Sequence, residues 1–272
     1  MSRFEVLCVT MHQTDFSKIK EMNIHSDVVF ANQADCYSFD ELEFDRYKAK
    51  MITTTQRGVG KNRNTALMYA SAEICLFADD DVTYVDNYAE IICKAFDELP
   101  DAEVIVFNLT TDSKERPQYQ NPRKKKCNKL THMPYGACRI AFRLNIIQKA
   151  NIWFTTLFGG GCKFTSGEDS KFLNDVMRNN LKLYMHPAII GMVRFGNSSW
   201  FTGTDECFYY GKGVYYAAIH PKAEIIWQLY FAFRTRKNSK LSFQNRLHWM
   251  KNGKKGYKEF LSFEEFLKIY EE

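Results

Sequence analysis

The sequence predicts an α/β fold, a mostly parallel sheet flanked by helices, with a helical, basic C-terminal extension. Apolar strand-like runs alternate with helix-spaced segments through the first half of the chain, a pattern that gives parallel strands with helices on the sheet faces. The run Glu73-Ile74-Cys75-Leu76-Phe77 reads as a buried strand and leads through Ala78 into three consecutive carboxylates, Asp79, Asp80 and Asp81. With 272 residues and 45% apolar content, the chain can bury one large core or two small ones. In sheets of this kind, ligands sit outside the carboxyl ends of the strands, and the acidic triplet stands at one such end.

Taken in order, residues 4–10 form a β-branched and apolar first strand, and residues 27–31 repeat the type. Helix-like spacing falls between them at 15–22. A third strand is expected at 51–55, a helix at 62–71 and the fourth strand at 74–78. Asp86 can cap a helix whose apolar positions Tyr88, Ile91, Ile92, Ala95, Phe96 and Leu99 follow 3/4 spacing, and Pro100 stops it. Residues 103–109 make another strand. Residues 112–129 are polar, contain Pro117 and Pro122, and carry the basic cluster Arg123-Lys124-Lys125-Lys126. They read as a loop that is either solvated or in contact with substrate phosphates. Residues 135–144 are strand-like. Residues 151–167 include Trp153, Phe154 and Phe158, then three glycines at 159–161, which make a flexible turn or let backbone approach a ligand. Glu168 and Asp169 precede a helix at 171–179, and strand-like runs follow at 181–184 and 189–195. A polar loop with Trp200 and Phe201 comes next. The expected division is a catalytic domain over 1–221 and an extension over 222–272.

The net charge is +5, too small to imply nucleic acid, and it is localised: residues 222–259 hold ten Lys/Arg and two Asp/Glu. Basic residues there interleave with Trp227, Tyr230, Phe231, Phe233 and Trp249. Such a segment either lies on a membrane surface or packs on the domain with its lysines in water. Eight cysteines without Cys-x-x-Cys, several of them inside apolar runs, suit a reducing cytoplasm. The N-terminal residues lack a basic n-region and a signal-length apolar core, and no run reaches membrane-spanning length, so a cytoplasmic protein is expected.

By itself the acidic triplet is either a turn capping the next helix or a cation site, because adjacent like charges repel unless something neutralises them. Ser166-Gly167-Glu168-Asp169 is likewise either a capping box or a reactive cluster. Were the two clusters to converge, one would hold a divalent cation and the other would stay available as a base. Oxygen-only ligands suit Mg²⁺ or Mn²⁺ bridging to a substrate diphosphate. A phosphate loop at 55–62 is excluded, since Thr55 replaces its first glycine and Asn62 its Ser/Thr.

Three motifs in order, Arg57-Gly58-Val59-Gly60-Lys61-Asn62-Arg63-Asn64, then Phe77-Ala78-Asp79-Asp80-Asp81, then Gly167-Glu168-Asp169, resemble those of family 2 glycosyltransferases with the GT-A fold. The resemblance covers roughly residues 3–200. It implies that Asp81 binds the metal, that Asp79 reaches the ribose or donor sugar and joins the metal site, and that Asp80 stands between them. Arg57 and Arg63 would lie near the nucleotide, with Thr10 and Gln33 flanking the base. The chain departs from the family pattern after the second strand, where Asn32-Gln33-Ala34-Asp35 replaces the usual early acidic residue. Asp169 would be the catalytic base of an inverting transfer, and Gly160, Gly161, Glu168 and Trp200 the candidates for the acceptor side. The processive synthases' Gln-x-x-Arg-Trp motif is absent, which favours a single sugar addition.

The implied partners are a nucleotide-diphosphate sugar, UDP-linked by expectation, and a glycan or lipid-linked acceptor of bacterial surface polysaccharide at the inner face of the membrane. Two other readings stay open from the residues alone. One is a nucleotidyl- or phosphotransferase on a similar half-sheet; the other is a non-catalytic, membrane-associated partner subunit.

Overall fold

The run Phe-Glu-Val-Leu-Cys-Val-Thr-Met lacks polar alternation over most of its length, which suits a strand covered on both faces. It forms β1 (Phe4–Met11), buried at every position but the last. This computed structural model describes residues 2–113, 119–128, 135–194, 203–237 and 239–270. Its contacts divide into two units, Met1–Thr155 with Asp169–Asn197, and Thr156–Glu168 with Ser198–Glu272.

In the first unit a one-turn helix, α1 (Lys18–Glu21), leads to β2 (Asp27–Gln33), β3 (Ser38–Phe44) and β4 (Tyr47–Thr54). Helix α2 (Val59–Tyr69) is followed by β5 (Ile74–Asp79), β6 (Val82–Tyr84), α3 (Tyr88–Glu98), β7 (Val104–Thr111) and the short β8 (Lys125–Lys126). A 3-10 turn at Ala137–Arg139 then enters β9 (Ile140–Arg143), α4 (Leu144–Lys149), α5 (Glu168–Arg178) and β10 (Leu183–Val193). The sheet runs β3-β4-β2-β1-β5-β9-β7-β10-β6, with β8 added against β10. β1, β2, β4 and β5 are parallel, as are β7 and β10, and β9 lies antiparallel between the two sets.

Successive residues of the central strands feed opposite cores. Val6, Val28, Phe30 and Leu76 pack with Ile92 and Phe96 of α3 on one face. Leu7, Val29, Cys75 and Phe77 pack with Ala66 and Leu67 of α2 and Phe172 and Leu173 of α5 on the other. The carboxyl ends of β1, β2 and β5 therefore finish side by side, with Thr10 paired to Asn32 and Val9 to Asp79.

Several local expectations change. The helix expected at 15–22 is one turn long, closed by Asn23 at φ 55°. β3 has no counterpart in the sequence reading, because Ser-Phe-Asp-Glu-Leu-Glu-Phe is an exposed acidic edge strand without a buried face to reveal it. Asn87, rather than Asp86, holds the N-cap position of α3, and the Asp86 carboxylate accepts from Asn23 Nδ2 at 2.8 Å. The strand expected at 135–144 begins only at Ile140, after the 3-10 turn. The two late strands are one, β10, which passes through Pro187 with register shifts between Met185 and Gly191. Proline is tolerated at such an irregularity because the ladder hydrogen bond is already interrupted there.

The second unit is helical: α6 (Glu206–Ile219), α7 (Glu224–Arg234), a 3-10 turn at Thr235–Lys237, α8 (Phe243–Glu259) and α9 (Phe263–Tyr270). Helices α6 and α8 touch backbone to backbone. A Cβ on Gly213 would lie 2.0 Å from the Met250 carbonyl oxygen, and one on Gly253 would lie 2.0 Å from that of Tyr210. This contact joins α6 to α8 within the second unit. Among the described residues, no helix is long and apolar enough to cross a membrane.

Phe77 joins the fold's second core, its ring centroid 4.7, 5.0 and 5.4 Å from those of Phe142, Phe154 and Phe172. Phe172 is fully buried. Phe172→Ala is expected to lower unfolding stability by about 3–5 kcal/mol, read by urea denaturation; a loss under about 1 kcal/mol would contradict the packing described.

Candidate active site

The segment before α2 sets the site. Gly58 adopts φ 117°, a conformation that side chains rarely take, and turns the chain over the strand ends. Gly60 permits close approach of a neighbouring loop: a Cβ there would sit 2.1 Å from the carbonyl oxygen of Thr155. Residues 62–64 each have a separate task. Asn62 donates through Nδ2 to the carbonyls of Thr10 (3.2 Å) and Ala31 (2.8 Å), pinning α2 to the ends of β1 and β2. Asn64 exchanges two hydrogen bonds with the Phe154 backbone, at 2.9 and 2.8 Å. Between them Arg63, 4% exposed, lays its guanidinium over the Phe154 ring, 5.1 Å from the centroid.

That guanidinium joins the two acidic clusters. Its Nη1 donates to Asp169 Oδ1 at 2.7 Å and its Nη2 to Asp79 Oδ1 at 2.9 Å. The Asp79 and Asp169 side chains are 33% and 25% exposed, so each keeps a side open to solvent while the cation between them is buried. The other Asp169 oxygen faces Gly136, where a Cβ would lie 3.7 Å from it. Cys138 is close by, and burial, then Asp79, Asp81 and Asp169, push its thiol well up, so it stays protonated.

Asp80 turns the other way and accepts from the Thr10 hydroxyl. The main chain at Asp81 is fixed by the Arg194 N–H, which donates to its carbonyl at 2.9 Å. The Asp81 carboxyl is raised from its ordinary 3.8 to about 7, by burial first and then by Asp79 and Asp80. Lys18, Glu21, Thr83 and Arg194 line an open depression of about 350 Å³ together with Asp80 and Asp81.

Not every candidate joins this cluster. Arg57 donates to the carbonyls of Ala34 (2.8 Å) and Thr55 (3.1 Å) and pairs with Asp35, which ties it to the segment following β2. Gln33 is buried and donates to the Gly58 carbonyl at 3.2 Å. Gly160, Gly161 and Glu168 belong to the second unit, where the Glu168 carboxylate accepts from the Gly167 N–H at 3.1 Å. Trp200 lies outside the described residues. Phe154, Gly136, Lys18 and Arg194 were missed by sequence reasoning. Only topology brings them to the carboxylates, and no local motif marks them.

Among the described residues, no three His, Cys, Asp or Glu side chains are grouped so as to hold a metal ion. The donors present are nevertheless hard oxygens in excess. Asp79 and Asp169 share the buried guanidinium of Arg63, Asp80 is held by the Thr10 hydroxyl, and Asp81 is driven toward its neutral form. A divalent cation that takes one or two protein carboxylates and completes its shell with phosphate oxygens and water fits that set.

Residues 35–161 match the family model described as glycosyl transferase family 2. The chain is also similar in fold to the crystal structure of S. aureus TarS residues 1–349, at a TM-score of 0.56 and 13% identity over 96% of this chain and 93% of that one. The same TarS segment in complex with UDP-GlcNAc gives a TM-score of 0.55 at 16% identity, with the same coverage. Against full-length TarS the chain is covered to 99% and that protein to 46%, at a TM-score of 0.54 and 15% identity. No curated protein matches the sequence.

The raised carboxyl has a consequence for stability. Between pH 3.8 and about 7 the folded chain keeps a proton on Asp81 that the unfolded chain has lost, so this group's contribution to stability falls as pH rises and is fully lost above pH 7. Asp81→Asn is therefore expected to raise the melting temperature of metal-free protein by a few degrees at pH 8 and by less at pH 5. A lower melting temperature at pH 8 would contradict the account.

Proposed function

We propose that this chain, whose residues 35–161 match the family 2 glycosyltransferase model and whose fold is similar to that of TarS, is a family 2 glycosyltransferase of the GT-A fold that moves one sugar from a nucleoside-diphosphate sugar to an acceptor hydroxyl with inversion at the anomeric carbon. The observation that carries the reading is the Arg63 clasp, in which a single buried guanidinium orients Asp79 at a strand end and Asp169 at the start of α5. A uridine donor is supported by the UDP-GlcNAc and UDP complexes of the structurally similar TarS.

In this reading Asp169 is the general base. The acceptor O–H approaches its open side, the proton passes to the carboxylate, and the acceptor oxygen forms a bond to the anomeric carbon. The bond from that carbon to the diphosphate oxygen breaks on the opposite face, and nucleoside diphosphate leaves with the bonding pair. Arg63 holds the Asp169 carboxylate in place throughout and adds positive charge beside the departing group. Lys18 and Arg194, beside Asp80 and Asp81, supply further positive charge where a diphosphate would lie. A divalent cation, Mn²⁺ or Mg²⁺, held by Asp81 with Asp79 would neutralise the leaving diphosphate. Thr10 then acts by fixing Asp80, and Gln33 by fixing the Gly58 turn, and the two are assigned to the side of the base. Gly160, Gly161, Glu168 and Trp200 are assigned to the acceptor side. The acceptor itself is a glycan or lipid-linked glycan of bacterial surface polysaccharide, elongated at the cytoplasmic side.

Asp169→Asn is isosteric and retains an oxygen for Arg63. It is expected to lower turnover by at least about 100-fold while UDP affinity, measured by calorimetry, changes less than about threefold. Turnover retained within tenfold would overturn the role of Asp169. Removal of divalent cations by chelation is expected to abolish release of nucleoside diphosphate, and Mn²⁺ or Mg²⁺ to restore it. Full activity in chelator would contradict the metal assignment.

A further inference from the structure

Helix α7 is built inside out. It buries Glu224, Gln228 and Ala232, while Ile225, Ile226, Leu229, Tyr230 and Phe233 stand 45–70% exposed. At 100° per residue these five fall in one continuous stripe with no polar residue inside it. In an ordinary surface helix the polar and apolar positions would be exchanged. Water does not favour such a face, so the stripe points to an apolar partner.

The charge around the stripe identifies that partner. Lys222, Arg234, Arg236 and Lys240 are exposed at its two ends. Arg236 leans over the Phe233 ring at 4.0 Å, and Arg234 Nη1 donates to the Tyr230 hydroxyl at 3.2 Å, so cations border the apolar face directly. The only carboxylate between positions 222 and 240 is Glu224, which is buried and ion-paired with Lys254. The outward side of this segment is thus apolar and cationic with no acid. A second copy docking through the same face about a two-fold axis would bring cations against cations. An anionic lipid surface accepts both features, with rings and aliphatic chains at the acyl boundary and guanidinium and ammonium groups among the headgroups. Eleven residues of helix span about 16 Å, so α7 lies in the interface and does not cross it.

We propose that α7 is an in-plane docking helix for an anionic lipid surface. The face belongs to the second unit and acts independently of the transfer chemistry, so lipid binding survives loss of Asp169.

The test is co-sedimentation of the full chain with phosphatidylcholine vesicles, with and without phosphatidylglycerol, alongside sedimentation equilibrium without lipid. The wild type and Asp169→Asn are expected to bind the anionic vesicles alike, and the neutral ones at least about tenfold more weakly. The triple variant Ile226→Ser, Leu229→Ser, Phe233→Ser should lose at least about tenfold in binding with its circular dichroism unchanged. Arg234→Gln with Arg236→Gln should erase the preference for anionic lipid. The proposal is overturned if wild type ignores both kinds of vesicle, if the triple variant binds as wild type does, or if the triple variant instead abolishes a lipid-independent dimer.

Discussion

A buried cation shared by two carboxylates is the constraint on which the first unit's site depends. Arg63 is almost completely removed from water, and an unpaired guanidinium in that position would be strongly destabilising, by about 3–5 kcal/mol for a broken buried pair. Three supports hold it in register: the Gly58 turn and Asn62 aim α2, Asn64 clamps the Phe154 backbone, and the Phe154 ring lies against the guanidinium. Phe154 in turn stacks on Phe172 of α5, centroids 4.5 Å apart, three residues from Asp169. The hydrophobic core and the ionic pair are therefore coupled. Misplacing the ring would move the cation and both carboxylates together.

The same site carries more negative charge than its one buried cation can offset. Asp79 and Asp169 are satisfied by Arg63 and Asp80 is held by Thr10, which leaves Asp81 to take the penalty as a raised pKa. A folded protein that keeps such a cluster gives up stability at neutral pH, and a bound cation with its diphosphate would return it. If Asp81 holds a cation as proposed, stability and that role place opposite demands on it, a common condition at sites poised to bind charge.

Much of the fold and the meeting of the two acidic clusters at the candidate site were legible in the sequence, for physical reasons that differ by element. β1, β2 and β5 declared themselves because strands buried on both faces must be apolar throughout, and the triplet declared itself by breaking such a run. The order of Arg63, Asp79 and Asp169 carried the family resemblance. What stayed hidden was either exposed or long-range. β3 has no buried face. The Gly136–Asp169 approach and the Phe154 platform under Arg63 join positions 33 and 91 residues apart, beyond any local periodicity. Arg57 was grouped with Arg63 by proximity in sequence, yet Asp35 and two carbonyls hold it at the end of β2. In the second unit the basic aromatic composition was visible, but which side of α7 faced water was not, since burial of Glu224 and Gln228 depends on the α6 and α8 packing.

The most direct measurement is release of nucleoside diphosphate from a panel of UDP-sugars by wild-type protein and by Arg63→Gln, each with Mn²⁺ and with folding checked by circular dichroism. The account predicts release by the wild type from at least one UDP-sugar and a fall of at least about 100-fold in the variant. Equal release by the two proteins, or none from any UDP-sugar by the wild type, would contradict it.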